Sequence, residues 1–326
     1  MEDLAVSVVV PTCGRPELLN RCLRALCYQT LPAARYEVLI VDDRPSPQTE
    51  EIVASWRRWT SPGGPSLVYL PNRGPHGPAA ARNRGWRTAR SELIAFTDDD
   101  TVPDAQWLEQ GIAALGKNGE ALRGRIVMPL EGTPTDYERD AKQLETADFV
   151  TANCFCRKSA LEELGGFDER FRMAWREDSD LYFRLLELGV RIVDAPQAIV
   201  VHPVRQAHWG VSILQQKKIL FDALLYKKHP QLYRQKIRAQ PRWDYYGIVA
   251  MLVATPLGIA IGYVPVAIAA FLGWLYMTAR FCMRRLQGTS RTISHVGEMI
   301  VTSILIPPFA LFWRMVGALR FRVPFT

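Results

Sequence analysis

The sequence has no Cys-x-x-Cys pair, although it contains six cysteines among its 326 residues. Cysteines at that spacing are typical of structural zinc sites and of redox motifs. We therefore expect neither a zinc framework nor a disulfide framework, and we predict reduced cysteines. The first residues also lack the basic region and the long apolar core of a secretory signal. The first domain is accordingly expected to stay in the cytosol.

Charged side chains are missing from residues 245–279, which contain no Asp, Glu, Lys or Arg. About 20 apolar residues suffice to span a bilayer, so this segment is predicted to be embedded in a membrane. It is too long for one straight crossing, and a Gly-Tyr-Val-Pro sequence near its middle indicates a turn between two spans. Arg242 precedes the segment, and Arg280, Arg284 and Arg285 follow it. Because cytoplasmic flanks are rich in arginine, we predict a hairpin in the inner membrane with both ends in the cytoplasm.

A second apolar stretch, residues 296–319, is interrupted by Pro307 and Pro308. Proline removes a backbone donor and disfavours a continuous helix. The sequence therefore predicts a re-entrant or interfacial pair of half-helices, and a third full crossing is the alternative.

Acidic side chains are scarce between residues 203 and 242, where nine Lys or Arg face a single acid, Asp222. Nucleic acid is one possible partner for such charge. The position directly before apolar membrane segments favours anionic lipid headgroups instead, and no nucleic acid is expected. We predict three regions: a catalytic domain over 1–203, a basic interfacial helical linker over 204–243, and membrane-associated helices over 244–326.

The first two hundred residues alternate short β-branched runs with amphipathic segments of helix length. This alternation predicts an α/β fold with a mainly parallel, Rossmann-like sheet covered by helices. Three predicted strands end in polar clusters, at residues 11–15, 42–43 and 98–100. Ligands bind at the carboxyl ends of such strands, so these clusters are expected to converge.

Two groups of carboxylates are candidate catalytic or metal-binding residues. Asp98, Asp99 and Asp100 follow an apolar run and offer the hard oxygen ligands that suit Mg²⁺ or Mn²⁺. Glu177 and Asp178 open a predicted helix. Acidic residues are also favoured in turns and at helix N-termini, so helix capping is the alternative interpretation of both groups.

Five motifs, read in order, resemble those of the family 2 glycosyltransferases. They are VVVPTCGRPELL, VLIVDD, PAAARNRG, DDD and REDSDLYFRL, the last preceded by Gly-Gly-Phe-Asp, and together they extend from about Val6 to His202. The resemblance implies a GT-A catalytic domain followed here by an α-helical membrane module. It also implies a nucleotide-sugar donor, Mn²⁺ or Mg²⁺ as cofactor, and an inverting sugar transfer.

The resemblance also assigns a role to each matching residue. Asp178 would be the general base, and Asp98, Asp100 and His202 would hold the metal. His202 follows the last apolar strand, and a structural role for this histidine is the alternative. The donor pocket would include Pro11, Thr12, Arg15, Asp42, Asp43, Arg82, Asn83, Asp98 and Asp99. The guanidinium of Arg82 is expected to face the diphosphate.

The membrane module suggests that the acceptor is lipid-linked or membrane-associated. A catalytically silent membrane protein that binds nucleotide sugars is the alternative function, and the intact acidic clusters argue against it. A nucleotidyltransferase would be expected to carry a glycine-rich, lysine-bearing phosphate loop near its N-terminus, which is missing from this sequence.

Overall fold

The structure, a computed structural model, describes residues 4–325 in two compact units. The first unit contains the chain up to Pro129 together with Gln143–Val204, and the second contains Leu130–Lys142 together with the chain from Arg205. The predicted catalytic domain ran without interruption to residue 203. The structure differs because the segment 130–142 belongs to the second unit.

The first unit is built on an eight-stranded mixed sheet with the order β3-β2-β1-β4-β7-β6-β8-β5. Strands β1 to β4 are parallel to one another, β7 is antiparallel to both β4 and β6, and β8 is parallel to β6. The strands are β1 (Val6–Thr12), β2 (Tyr36–Asp42), β3 (Ser66–Pro71), β4 (Leu93–Phe96), β5 (Val102–Pro103), β6 (Ala121–Val127), β7 (Cys154–Arg157) and β8 (Ile192–Val201).

Amphipathic helices cover this sheet and place the site residues. They are α1 (Pro16–Cys27), α2 (Pro47–Thr60), α3 (Pro78–Thr88), α4 (Trp107–Leu115), α6 (Lys158–Leu164) and α7 (Glu177–Glu187), with a short 3₁₀ turn at Ala33–Arg35 and another at Lys142–Thr146. Helix α3 packs so close to β1 that a Cβ added at Gly85 would lie 2.3 Å from the Val9 side chain. Only glycine permits this approach.

The second unit contains the remaining helices. They are α5 (Asp136–Ala141), α8 (Val211–Gln215), α9 (Leu220–Lys228), α10 (Pro230–Leu232), α11 (Trp243–Ala260), α12 (Val264–Leu286) and α13 (Ile293–Phe321), with a 3₁₀ turn at Gln216–Ile219 and a π turn at Tyr233–Ile237. Helices α11, α12 and α13 are each long and apolar enough to cross a membrane.

The predicted hairpin region forms α11 and α12, which are separated by three residues. Helix α13 differs from the predicted pair of half-helices, because it continues through Pro307 and Pro308 as one helix of 29 residues. Neighbouring helices and side chains can compensate for the lost backbone donors in such segments. Its length and composition fit the alternative of a third crossing.

A buried arginine explains why residues 130–142 belong to the second unit. Arg285, at the end of α12, donates from Nε and Nη2 to Asp136 Oδ2 of α5 at 3.0 and 2.8 Å. Its Nη1 donates to the hydroxyls of Thr302 and Ser303 on α13 at 2.6 and 3.2 Å. A buried charge requires such partners, so this network holds α5 against the helices of its unit.

Candidate active site

Three successive carboxylates follow β4, as the sequence predicted, and positive side chains compensate their charge. Asp99 is fully buried and accepts a hydrogen bond from Thr12 Oγ1 at 2.7 Å. Arg15 Nη2 lies 2.7 Å from the same carboxylate. Burial raises the pKa of Asp99 to about 6, against the opposing effects of Arg15 and Thr12. Thr12 and Arg15, predicted to line the donor pocket, therefore hold this acid in place.

Asp98, Asp100 and His202 form a group that could hold a metal ion. One potential ligand atom from each of the three lies within 4.8 Å of the others. His202 reaches the group because it follows β8, and its Nε2 lies 3.7 Å from Asp100 Oδ1. Two carboxylates and one imidazole suit a divalent ion such as Mn²⁺. The structure thus brings together the three predicted metal ligands, although His202 lies more than one hundred residues after the two acids.

Arg82, which was expected to face the donor diphosphate, is buried and contacts two carboxylates, and its contact with the diphosphate stays a prediction. Its side chain is only 4% exposed. Nη2 donates to Asp98 Oδ1 at 2.7 Å, and Nη1 donates to Glu177 Oε1 at 3.0 Å. Arg82 therefore joins the acidic cluster after β4 to the first residue of α7.

The Glu-Asp pair at the start of α7 places one carboxylate inside the protein and the other at the surface of the site. Glu177 is buried, and burial together with Asp178 raises its pKa to about 7. Asp178 is partly exposed, and its Oδ1 accepts a hydrogen bond from the backbone N–H of Ser179 at 2.6 Å. Burial also raises the pKa of Asp178. Of the two, Asp178 is the more exposed residue.

The residue before this pair was not identified from the sequence. Arg176 has φ 75°, a left-handed conformation that non-glycine residues rarely adopt. Its guanidinium lies 4.5 Å from the centroid of the Trp175 ring. Strained residues of this kind often occur at functional sites, and here the strain sets the direction in which α7 begins. A single sequence contains no signal for such a conformation.

The second predicted cluster, Asp42 and Asp43, mainly orders the loops after β2 and β3. Asp42 is fully buried and accepts hydrogen bonds from the N–H groups of Arg44 and Ser46. Asp43 accepts from the N–H of Gly77, at 3.1 and 3.0 Å, and so fixes the start of α3. Pro11 is buried in β1.

Asn83 is also engaged within the protein. Its Oδ1 accepts from the N–H of Phe167 at 2.8 Å and from Trp86 Nε1 at 2.9 Å. Its Nδ2 donates to the carbonyl oxygen of Phe167 at 2.9 Å and to Glu169 at 2.8 Å. Asn83 therefore attaches the Gly-Gly-Phe turn to α3, and a contact with the donor remains only a prediction.

His76 is a further polar residue at this edge of the sheet that the sequence interpretation missed. Its Nδ1 lies 2.7 Å from the carbonyl oxygen of Asp43. Because a carbonyl oxygen only accepts, the neutral ring carries its proton on Nδ1. Nε2 is then an acceptor on a largely exposed side chain.

Comparison with known proteins agrees with this geometry. The family described as Glycosyl transferase family group 2 matches residues 93–316, and Glycosyl transferase family 2 matches residues 7–165. Glycosyltransferase AglE of Haloferax volcanii is 29% identical over 212 residues, which cover 61% of this chain and 67% of that protein. The pre-mycofactocin glycosyltransferase of Mycobacterium tuberculosis is 38% identical over 149 residues, 40% of this chain and 31% of that protein.

Among solved structures, mannosyltransferase PcManGT from Pyrobaculum calidifontis, in complex with GDP-Man and Mn²⁺, has a TM-score of 0.61 and 17% identity. The superposition covers 98% of this chain and 87% of that one. This similarity concerns the fold, which is the predicted GT-A fold followed by apolar helices. Because one family match covers well over half of the chain, the protein belongs to the family 2 glycosyltransferases.

Proposed function

We propose that this glycosyltransferase transfers a sugar from a nucleotide-sugar donor to a hydroxyl group of a membrane-associated or lipid-linked acceptor, with inversion at the anomeric carbon. The observation that carries the proposal is the group formed by Asp98, Asp100 and His202, joined through Arg82 to the helix that bears Asp178. Metal binding and proton acceptance are thereby assigned to neighbouring parts of one site.

The donor would bind at the carboxyl ends of β1, β2 and β4, with its diphosphate beside Asp98 and Asp100. Support comes from PcManGT, which shares the fold and was crystallised with GDP-Man and Mn²⁺. The nucleotide would lie near Asp43 and the loop after Thr12. These residues lie at the edge of the sheet where α/β proteins bind nucleotides.

Asp98, Asp100 and His202 would hold Mn²⁺ or Mg²⁺. A bound divalent ion stabilises the negative charge of the departing nucleoside diphosphate. Arg15 lies beside the cluster, with Nη1 3.8 Å from Asp100 Oδ2. Its positive charge would favour the same leaving group.

Asp178 would act as the general base. The acceptor oxygen forms a bond to the anomeric carbon while the bond from that carbon to the phosphate oxygen breaks. The hydroxyl proton passes to the Asp178 carboxylate, and the bonding electrons leave with the nucleoside diphosphate. Attack from the face opposite the leaving group inverts the configuration. The hydrogen bond from Ser179 to Oδ1 would orient the carboxylate for this step.

The second unit would place the enzyme at a membrane. Helices α11, α12 and α13 can span it, and the basic region before them would contact anionic lipid headgroups. The arginines that flank the predicted hairpin favour the inner membrane with the catalytic unit on the cytoplasmic side. An acceptor confined to the same membrane would then be close to the site.

The test is metal-dependent binding of a nucleoside diphosphate to the purified full chain in detergent. UDP and GDP are titrated with and without Mn²⁺ by calorimetry, and turnover is screened with the corresponding nucleotide sugars. Asp100→Asn should weaken Mn²⁺-dependent binding at least tenfold, since even indirect contacts to metal ligands contribute about 10- to 100-fold in affinity. Asp104→Asn, the same change at an exposed position, is the control.

Mn²⁺-dependent binding of equal affinity in Asp100→Asn and the parent would refute the metal assignment. Binding without turnover for every donor tested would instead favour the catalytically silent alternative.

A further inference from the structure

One buried arginine connects two carboxylates that are far apart in the sequence. Arg82 on α3 donates to Asp98 after β4 and to Glu177 at the start of α7, at 2.7 and 3.0 Å. Asp98 belongs to the candidate metal group, and Glu177 immediately precedes the candidate base. The three side chains thus bridge the two halves of the proposed reaction centre.

The guanidinium of Arg82 is enclosed by protein side chains. Its guanidinium carbon lies 5.8 Å from the centroid of the Phe167 ring, and its side chain is 4% exposed. Both terminal nitrogens are already bound to carboxylates. A guanidinium is planar and rigid, so two such contacts fix the separation and the orientation of both partners.

We propose that Arg82 is a positioning residue, which fixes the metal-binding Asp98 relative to the first turn of α7 and therefore to Asp178. The proposal rests on the proposed function. It differs from the family-based expectation that Arg82 faces the diphosphate, because it assigns to Arg82 an effect on turnover and none on donor affinity.

Lysine is the informative replacement at this position. Arg82→Lys keeps the positive charge, but a single ammonium on a flexible chain cannot hold both carboxylates in one geometry. Displacement of a reacting group by about 1 Å can cost about 100-fold in rate. We expect kcat to fall about 10- to 100-fold in Arg82→Lys and at least as far in Arg82→Gln. Because Arg82 holds a carboxylate of the candidate metal group, Mn²⁺ affinity is expected to weaken by about 10- to 100-fold in Arg82→Lys. The dissociation constant of the nucleoside diphosphate, measured at saturating Mn²⁺, should stay within about threefold of the parent.

The experiment compares the parent, Arg82→Lys, Arg82→Gln and Arg84→Gln as full chains in detergent. Arg84 is exposed on the same helix and is the matched control. Calorimetry with UDP and GDP in the presence of Mn²⁺ measures binding, steady-state kinetics measure kcat and KM, and thermal unfolding measures stability. A compound variant, Arg82→Gln with Glu177→Gln, covers the case in which Arg82→Gln alone does not fold. The second substitution removes the carboxylate of Glu177, which would otherwise be buried without its cation.

The outcomes separate the inference from the proposed function. Parental kcat in a folded Arg82→Lys or compound variant would overturn the inference, even if the melting temperature fell. A loss of nucleoside diphosphate affinity greater than tenfold in Arg82→Lys would also overturn it, in favour of a donor contact. If the parent itself neither binds a nucleoside diphosphate nor turns over, the proposed function fails instead. Reduced kcat at parental nucleoside diphosphate affinity, with no change in Arg84→Gln, supports the positioning role.

Discussion

Two adjacent glycines offer a matched test of how the site is built. Gly165 and Gly166 both have positive φ, of 71° and 79°. They end α6, with the N–H of Gly166 bonded to the carbonyl oxygen of Leu161 at 2.8 Å. A Cβ at Gly165 would meet nothing within 4 Å. At Gly166 it would lie 2.4 Å from Asn83 Oδ1 and 2.8 Å from the Trp86 ring.

Replacement by alanine should therefore have unequal costs at the two positions. In Gly165→Ala only the left-handed backbone is unfavourable, at about 1 kcal/mol. Gly166→Ala carries the same cost, and the overpacking adds about 1 to 3 kcal/mol. The new methyl group would also displace Asn83, whose Oδ1 accepts from the N–H of Phe167. We expect Gly166→Ala to be less stable than Gly165→Ala by about 2 kcal/mol.

Thermal unfolding in detergent, followed by tryptophan fluorescence at one scan rate, measures this difference. For a domain of this size, about 2 kcal/mol corresponds to a difference in melting temperature of about 4 to 8 °C. Turnover at a temperature where both variants are folded should fall further in Gly166→Ala, because Phe167 packs edge-on against Phe96, two residues before the proposed metal ligand Asp98. Equal melting temperatures for the two variants would refute this account of the turn.

Three further predictions concern the base, a buried acid and the membrane topology. Asp178→Asn should lower turnover by about 10² to 10⁴ with unchanged nucleoside diphosphate affinity; near-parental kinetics would exclude it as the base. Burial and Asp178 raise the pKa of Glu177 to about 7, so between about pH 4.5 and 7 the metal-free protein takes up a proton when it folds, and its stability falls as pH rises through this range. In Glu177→Gln the melting temperature should fall less over that range, and equal slopes would contradict the assignment. Cys13 is exposed in the first unit, and Tyr263 is exposed between α11 and α12. An impermeant thiol reagent should therefore label Cys13 and a cysteine introduced by Tyr263→Cys from opposite sides of the membrane. Labelling of both from the same side would exclude the hairpin.

Much of the fold and the metal group could be predicted from the sequence because the signals are local. Continuous apolar runs identify the buried strands, and the polar residues directly after Phe96 must lie at the carboxyl edge of the sheet. His202 was predicted to join Asp98 and Asp100 because it follows the last strand. The structure confirms this convergence, which requires only that strand ends meet at one edge.

The features that could not be predicted depend on contacts between distant parts of the chain. The motif around Arg82 predicted a residue that faces the diphosphate, and no local signal indicates its contact with Glu177, 95 positions away. The segment 130–142 is short and polar, and contacts with distant residues, such as that between Asp136 and Arg285, 149 positions apart, attach it to the second unit. Pro307 and Pro308 favoured a break in α13, but packing with other helices overrides this local preference.

The distribution of charge in the site favours the proposed binding of a divalent ion. Five carboxylates meet there, those of Asp98, Asp99, Asp100, Glu177 and Asp178, whereas fewer permanent positive charges, among them those of Arg15, Arg82 and Arg176, lie beside them. Like charges held this close are unfavourable in a partly buried site. A divalent ion would offset most of the remaining negative charge. A donor diphosphate would add further negative charge, which the same ion could also stabilise. The site is therefore expected to bind metal and donor together, and each should raise the affinity of the other. Titration of Mn²⁺ with and without a saturating nucleoside diphosphate measures this coupling, and equal Mn²⁺ affinity in the two titrations would show that the ion and the diphosphate bind independently.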